Sequence, residues 1–206
     1  HRAAGFRIMK VKVGEDWERD SKTVRALRQA LGSGILLRAD GNQGYTEEQA
    51  RRFLAALQPG DIELLEQPTP RGDLEALRRL ADEFEAPIMA DESVMNAADA
   101  SRLVDARAAD LVNIKLMKSG GIGEAMEIAR RTHRAGIGAM IGCMDESRLG
   151  IAAALHFALA APNVERADLD GHLDLVDDVA RGGVRIENGD ILPLHDEDGL
   201  GVRVRL

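Results

Sequence analysis

Short apolar runs alternate with longer amphipathic segments along this chain. Residues Arg7–Val13 (RIMKVKV) alternate with the two-residue period of a half-buried strand and are rich in β-branched side chains. From Asp16 to Leu31 the period changes: Val24, Leu27 and Leu31 fall on one face of a helix, which Gly32–Gly34 ends. The alternation then repeats. Strands are expected at Ile35–Ala39, Ile62–Leu65, Pro87–Ala90, Leu111–Ile114, Gly138–Ile141 and Val164–Leu169. Helices are expected from the N-cap Thr46 to about Leu57, and at Leu74–Ala81, Ala97–Val104, Ile122–Ala135 and Leu149–Ala160. The period is near 25 residues, with no sequence repeat behind it. Strict βα alternation means parallel strands with right-handed crossovers. Two architectures fit, an open doubly wound sheet or a (β/α)₈ barrel. A full barrel takes ~250 residues, so a barrel reading leaves this chain one βα unit short at its N-terminal side. The segment Gly182–Leu206 differs: turn signals at Gly182-Gly183 and Asn188-Gly189 separate short apolar runs, the mark of a small antiparallel addition.

Composition narrows the function classes. The 206 residues carry 35 acidic and 27 basic side chains, a net charge of −8, and no long basic run, which argues against nucleic acid as partner. Aromatics at 3% leave no base-stacking platform. No apolar stretch approaches the ~20 residues of a membrane span. Cys143 is the sole cysteine, so no internal disulfide forms and a reducing, cytoplasmic setting is expected. No signal peptide is visible, although a chain starting at His1 rather than Met could hide one.

Polar residues crowd the C-terminal ends of six of these strands: Lys10 and Lys12, Asp40 and Asn42, Glu66, Asp91 and Glu92, Lys115, and Asp168 and Asp170. Parallel α/β folds build their sites at those ends. One charged residue there is ordinarily a solvated loop residue; six occurrences among seven strands are a pattern. Asp40, Glu66 and Asp91 are 26 and 25 residues apart, matching the βα period, so the three could converge. Three close carboxylates repel unless they share a cation. All-oxygen ligation suits Mg²⁺ or Mn²⁺, whereas zinc would favour His or Cys. None of the five histidines lies at a strand end near these acids; His133 and His156 fall in helices and read as structural.

Lys10 and Lys12 are an i, i+2 pair on one face of a strand, the interior face in a barrel. Burial, a divalent cation and a second lysine all disfavour the ammonium form, which is how a lysine becomes a general base at neutral pH. Lys115, 24 residues past Asp91, could approach a bound substrate from the opposite side. Two bases flanking a metal-held carboxylate are what a racemase or epimerase needs. Lys118 reads as a loop residue. Asp168 and Asp170, again i, i+2, make a site that wants a cation.

This set of residues resembles the enolase superfamily, in its muconate-lactonizing-enzyme-like subgroup. The resemblance rests on Lys10-Val11-Lys12, Asp40-Gly41-Asn42, Glu66-Gln67-Pro68, Asp91-Glu92-Ser93, Lys115 and the string Gly142-Cys143-Met144-Asp145-Glu146-Ser147. The use of a Lys base with Mg²⁺ in such sites is general knowledge of the superfamily. Asp168-Leu169-Asp170 resembles the D-x-D signature of the dipeptide epimerases, whose two carboxylates receive a free α-ammonium. The resemblance implies an α/β fold, a partial TIM-type (β/α) barrel of about seven parallel strands with alternating helices and a short C-terminal antiparallel tail. It implies an isomerase. Lys12 and Lys115, with Lys10 beside them, would be catalytic; Asp40, Glu66 and Asp91 would hold Mg²⁺, with Mn²⁺ as a substitute. Asp168, Asp170 and Asn42 would bind substrate. The reaction implied is epimerisation of a dipeptide, such as L-Ala-D/L-Glu, at the α-carbon of its C-terminal residue, by two-lysine proton transfer through a metal-stabilised enediolate.

Family members also carry an N-terminal cap domain and a first barrel strand, and neither is expected within these 206 residues. The expected organisation is therefore a barrel domain over residues 1–180 and a tail over 181–206 that would pack on a cap. A fragment of a longer enzyme is expected, its C-terminal end complete at Gly201–Leu206. Homo-oligomerisation stays open. Competing readings are an o-succinylbenzoate synthase, N-acylamino acid racemase or cycloisomerase using the same site, or an inactive truncated barrel.

Overall fold

The structure, a computed structural model, describes residues 3, 5–194 and 198–205. Seven strands pair in chain order in one sheet: β1 (Ile8–Lys12), β2 (Leu36–Asp40), β3 (Leu64–Glu66), β4 (Ile88–Ala90), β5 (Leu111–Ile114), β6 (Gly138–Gly142) and β7 (Val164–Asp168). Helices alternate with them: α1 (Trp17–Leu31), α2 (Glu47–Ala55), α3 (Leu74–Glu83), α4 (Ala97–Ala106), α5 (Leu116–Ser119), α6 (Ile122–Arg134) and α7 (Arg148–Ala160). A doubly wound sheet reverses its strand order at a switch point. Sequential order excludes that alternative and is the order of a partial TIM-type barrel, with β1 and β7 at its ends. No helix among the described residues is long and apolar enough to cross a membrane.

One element was not legible from periodicity. Helix α5 is a single turn, too short to show a 3.6-residue pattern. It contains Lys118, which is therefore helical and half-buried rather than in a loop; its Nζ donates to the Asn113 carbonyl at 2.8 Å.

The chain forms two units. The first comprises Arg7–Val94 and Ser101–Val112. Its helices start where local chemistry dictates. Asp16 caps α1 by accepting from the Glu18 and Arg19 N–H groups. Thr46 and Gln49 form a reciprocal capping box on α2, and Asp73 caps α3. Val24, Phe53, Leu77 and Leu80 from these helices are buried with Leu64, Leu65, Ile88 and Met89 of the strands.

In this unit the turn after β1 is clamped to the turn after β2. Gly14 (φ +110°) and Gly44 pack backbone to backbone; a Cβ on Gly44 would stand 2.2 Å from the Gly14 carbonyl oxygen, so no larger residue fits. Buried Asp20 holds the arrangement. Its Oδ2 accepts from the N–H groups of Gly14 (3.0 Å), Glu15 (3.2 Å) and Asp16 (3.2 Å) and from the Tyr45 hydroxyl (2.7 Å). Burial by itself would raise the Asp20 carboxyl, but these hydrogen bonds outweigh it and hold the group below its ordinary value. Burial, then Asp20, pushes the Tyr45 hydroxyl far up.

A lowered folded-state pKa contributes stability that is present above the unfolded value of about 3.9 and is lost as pH falls through the folded value. Asp20→Asn is therefore expected to cost about 2 kcal/mol at pH 7, with the gap from the parent closing below about pH 4. Urea melts at pH 7 and pH 3 check this; a gap of equal size at both would contradict it.

The second unit comprises His1–Phe6, Met95–Ala100 and Asn113–Leu206. Ile128, Ala129, Ile151, Leu155 and Phe157 of its helices are buried, as are Met140 and Ile141 of β6. After β7 comes a short 3-10 helix (Gly171–Asp174), then the antiparallel additions expected from the turn signals. Strands β9 (Val184–Glu187) and β10 (Asp190–Pro193) form a hairpin, while β8 (Ala180–Gly182) pairs with β11 (Val202–Val204). Asn188 and Gly189 both have positive φ (53° and 82°), the hairpin turn that Asn-Gly favours. Arg148 ties these strands to the start of α7, donating to the carbonyls of Gly182 (3.1 Å) and Val184 (2.7 Å). The expected chain ends, His1 and Leu206, lie outside the described residues.

Candidate active site

Strand register in the first unit aligns the charged residues. Lys12 pairs with Asp40 across β1–β2, and Asp40 pairs with Glu66 across β2–β3. Glu66 pairs with Met89 of β4, and Asp91 lies two residues beyond. Partners in register share a face, and residues i and i+2 share it too. Lys10, Lys12, Asp40, Glu66 and Asp91 therefore belong to one face at the C-terminal ends of four strands.

The carboxylates are deeply placed. Asp40 and Glu66 have no solvent exposure and Asp91 has 2%. Buried charge is costly unless paired, and the lysines supply the pairing. Lys12 Nζ donates to Asp40 Oδ2 at 2.7 Å and to Asn42 Oδ1 at 2.8 Å. Lys10 Nζ stands 3.6 Å from both Asp40 Oδ2 and Glu66 Oε2, joining two acids that would otherwise repel. Asp40 Oδ1 accepts from the Asn42 N–H at 3.1 Å. The Asn42 backbone is left-handed (φ 40°), a conformation Asn tolerates.

One placement differs from expectation. The Lys10 side chain is largely covered at 20% exposure, but that of Lys12 is 64% exposed, because Lys12 is the last residue of β1. Among the described residues no three His, Cys, Asp or Glu side chains are grouped so as to hold a metal ion. The structure brings Asp40 and Glu66 together around the Lys10 ammonium and aligns Asp91 with them by register.

The second unit carries Lys115, Asp168 and Asp170. Lys115 follows the last residue of β5, is 8% exposed, and forms the N-terminal boundary of α5. Asp168 ends β7 and is half-buried. Asp170 was expected to end the same strand. It lies beyond it, exposed, at the N-terminal boundary of the 3-10 helix, with buried Leu169 between the two acids. Next to them, Cys143 Sγ accepts from the Gly171 N–H at 3.4 Å. Burial pushes the Cys143 thiol up to about 11, against the Gly171 hydrogen bond and with help from the charges of Asp168, Asp170 and Glu146. It is a neutral thiol at pH 7, not a nucleophile. Burial, then the Arg148 charge, holds the His172 imidazole below its ordinary value, so it is neutral as well.

The whole chain, residues 1–206, matches the family described as enolase C-terminal domain-like. This protein belongs to that family. The hydrophobic dipeptide epimerase of Enterococcus faecalis is 45% identical over 199 residues, which cover 96% of this chain and 56% of that protein. The L-Lys-D/L-Arg epimerase of Methylococcus capsulatus is 45% identical over 203 residues, 98% of this chain and 57% of that one. A substrate-liganded complex of the L-Ala-D/L-Glu epimerase from Bacillus subtilis superposes with a TM-score of 0.93 at 39% identity, over 98% of this chain and 56% of that chain. Muconate lactonizing enzyme from Pseudomonas putida superposes with a TM-score of 0.92 at 31% identity, over 98% and 56%. The chain thus spans a little over half the length of these curated relatives.

Some supporting groups of this enolase-type chain were not singled out from sequence. Arg38 is buried at 2% exposure, two residues before Asp40 on the same face, and its Nε donates to Glu63 at 2.7 Å. Strand parity could have found it. Gln67 is fully buried between the ends of β3 and β4, yet it stood out only as part of a family string. Besides the nearby Thr69 carbonyl, its partners lie 24 and 26 residues away, beyond the reach of any local pattern.

Proposed function

We propose that this chain carries the carboxylates and lysines of a Mg²⁺-dependent dipeptide epimerase acting at the α-carbon of the C-terminal residue. The in-register row Lys12–Asp40–Glu66, with Lys10 between the two acids, is the observation that carries this reading. Relatives support it: the E. faecalis dipeptide epimerase was solved with Mg and L-Leu-L-Tyr, and that of M. capsulatus with Mg and L-Arg-D-Lys.

The donor chemistry at the strand ends fits a hard divalent cation. Asp40, Glu66 and Asp91 are buried oxygen donors, and neither His nor Cys competes at the row. These three residues would hold Mg²⁺, and the bound ion would supply positive charge to the substrate carboxylate. One of the pair Lys12 and Lys115 takes the α-proton at Nζ, and the other returns a proton on the opposite face, inverting the centre. Lys10 balances the charge of Asp40 and Glu66, and Asn42 orients the Lys12 ammonium through its Oδ1. Asp168 and Asp170 bind the free α-ammonium of the dipeptide. In this reading residues 1–180 form the barrel-type domain, and the tail over 181–206 packs on a further domain.

The deciding experiment is α-proton exchange. The chain is incubated in D₂O with Mg²⁺ and L-Ala-L-Glu, L-Leu-L-Tyr or L-Arg-L-Lys, and the C-terminal α-proton is followed by NMR. Exchange with epimer formation is the expected result. Replacing both Asp168→Asn and Asp170→Asn is expected to raise KM for the dipeptide about 10–100-fold, the worth of one or two charge-assisted hydrogen bonds. An N-acetyl amino acid has no ammonium, so its KM should be unchanged. Parent activity on N-acetyl-L-Glu equal to that on the dipeptide would favour the N-acylamino acid racemase reading; no exchange with any dipeptide by a folded chain overturns the proposal.

A further inference from the structure

Gln67 is the residue on which the ends of three strands meet, and nothing in the proposed chemistry uses it. Its side chain is fully buried. Nε2 donates to the Thr69 carbonyl and to Ser93 Oγ, both at 2.9 Å. Oε1 accepts from the N–H groups of Asp91 (2.9 Å) and Ser93 (3.1 Å). Ser93 Oγ spends its own proton on the Arg71 carbonyl, so toward Gln67 it acts as an acceptor. Two donors and two acceptors are thus all matched. The amide has only one orientation that works, because Thr69 offers a bare carbonyl and Asp91 a bare N–H.

The main chain of Gln67 adds two more ties. Its N–H donates to the Met89 carbonyl, and its carbonyl accepts from the Gln43 N–H, both at 2.8 Å. The loop after β2, the end of β3 and the turn after β4 are therefore pinned through one residue. Its backbone is left-handed (φ 30°), a region where a side-chain-bearing residue is strained and persists only when its surroundings hold it.

We infer that Gln67 is a positioning residue: its buried amide sets where Asp91 stands relative to Glu66, and so fixes the carboxylate set for a divalent cation. This inference rests on the metal-binding reading given above. It explains why an amide occupies the position. A carboxylate at 67 could not donate to the Thr69 carbonyl and would set oxygen against oxygen. A thioether of similar length would take the Oε1 acceptor away from the Asp91 and Ser93 N–H groups and the Nε2 donor away from the Thr69 carbonyl.

The test separates positioning from charge. Mn²⁺ affinity of the whole chain is measured by titration calorimetry for the parent, Gln67→Glu, Gln67→Met and Ser93→Ala, with circular dichroism for folding. Gln67→Glu adds a negative charge beside three carboxylates. If charge alone mattered, Mn²⁺ would bind more tightly; positioning predicts binding weaker by about 10–100-fold, the range found when groups that orient metal ligands are removed. Gln67→Met should weaken binding to a similar degree. Ser93→Ala removes one acceptor and spares both bonds to Oε1, so a smaller, few-fold loss is expected, and it decides the matter if the Gln67 variants do not fold. Tighter or unchanged binding by Gln67→Glu, or unchanged binding by Ser93→Ala where the others fail to fold, overturns the inference. A folded parent that binds no Mn²⁺ overturns the metal reading and this inference with it, an outcome told apart by the parent alone.

Discussion

Lys12→Ala and Lys115→Ala are each expected to lower epimerisation by about 10²–10⁴-fold, the usual worth of a positioned acid or base. The folded state should survive both changes. Lys12 ends β1 with its side chain 64% exposed, so its removal opens no cavity. Lys115 is 8% exposed and sits at the boundary of a one-turn helix, where the loss of a long side chain is more disruptive; Lys115→Met keeps the stem and serves as its control.

The informative quantity is the pattern with each epimer. Two bases on opposite faces of the α-carbon each take the proton of a different epimer. The variant lacking the base for one epimer should lose solvent exchange from that epimer. It should keep exchange without inversion from the other. The second variant should show the mirror pattern. NMR in D₂O, started separately from the L,L- and L,D-dipeptides, reads both. If either variant epimerises within tenfold of the parent from both starting epimers, the two-base mechanism does not hold.

The second large effect is on metal affinity. Asp40 accepts from Lys12 and Asn42 and faces Lys10. Asp40→Asn keeps the shape, removes one charge and places an NH₂ group where a lysine or a cation must approach. Loss of groups that merely orient ligands costs 10–100-fold in metal affinity, so loss of a ligand itself should cost at least about 100-fold. Mass action gives a readout independent of turnover. A ligand at 100 times its Kd stabilises the folded state by about 2.7 kcal/mol. The parent should melt at a higher temperature as Mg²⁺ is added, and Asp40→Asn should show little or no such shift over the same range. Equal protection of both proteins by Mg²⁺ would remove Asp40 from the ligand set.

Much of the architecture was legible beforehand because βα alternation is a local signal. The period switches between two and 3.6 residues, and caps such as Thr46 and Asp16 act within a few positions of their helices. The same logic put Lys12, Asp40 and Glu66 at strand ends, since a βα unit returns the chain to the same end of the sheet each time. It failed where an element was a single turn, as with α5, and where a strand stopped one step early, as between Asp168 and Asp170.

What the chain determined by itself was therefore the alternation and the strand ends at which the acids and lysines stand. Parity and period are enough for that. Only the tertiary structure set the sequential strand order, which excludes a doubly wound sheet, and decided which groups meet. It put the Lys10 ammonium between Asp40 and Glu66, closed four backbone and hydroxyl donors on Asp20, and joined Gln67 to Asp91 and Ser93. These contacts depend on the ångström-scale approach of loops far apart in sequence. A buried hydrogen bond needs its partner within about 3 Å, and no periodicity along the chain encodes that distance.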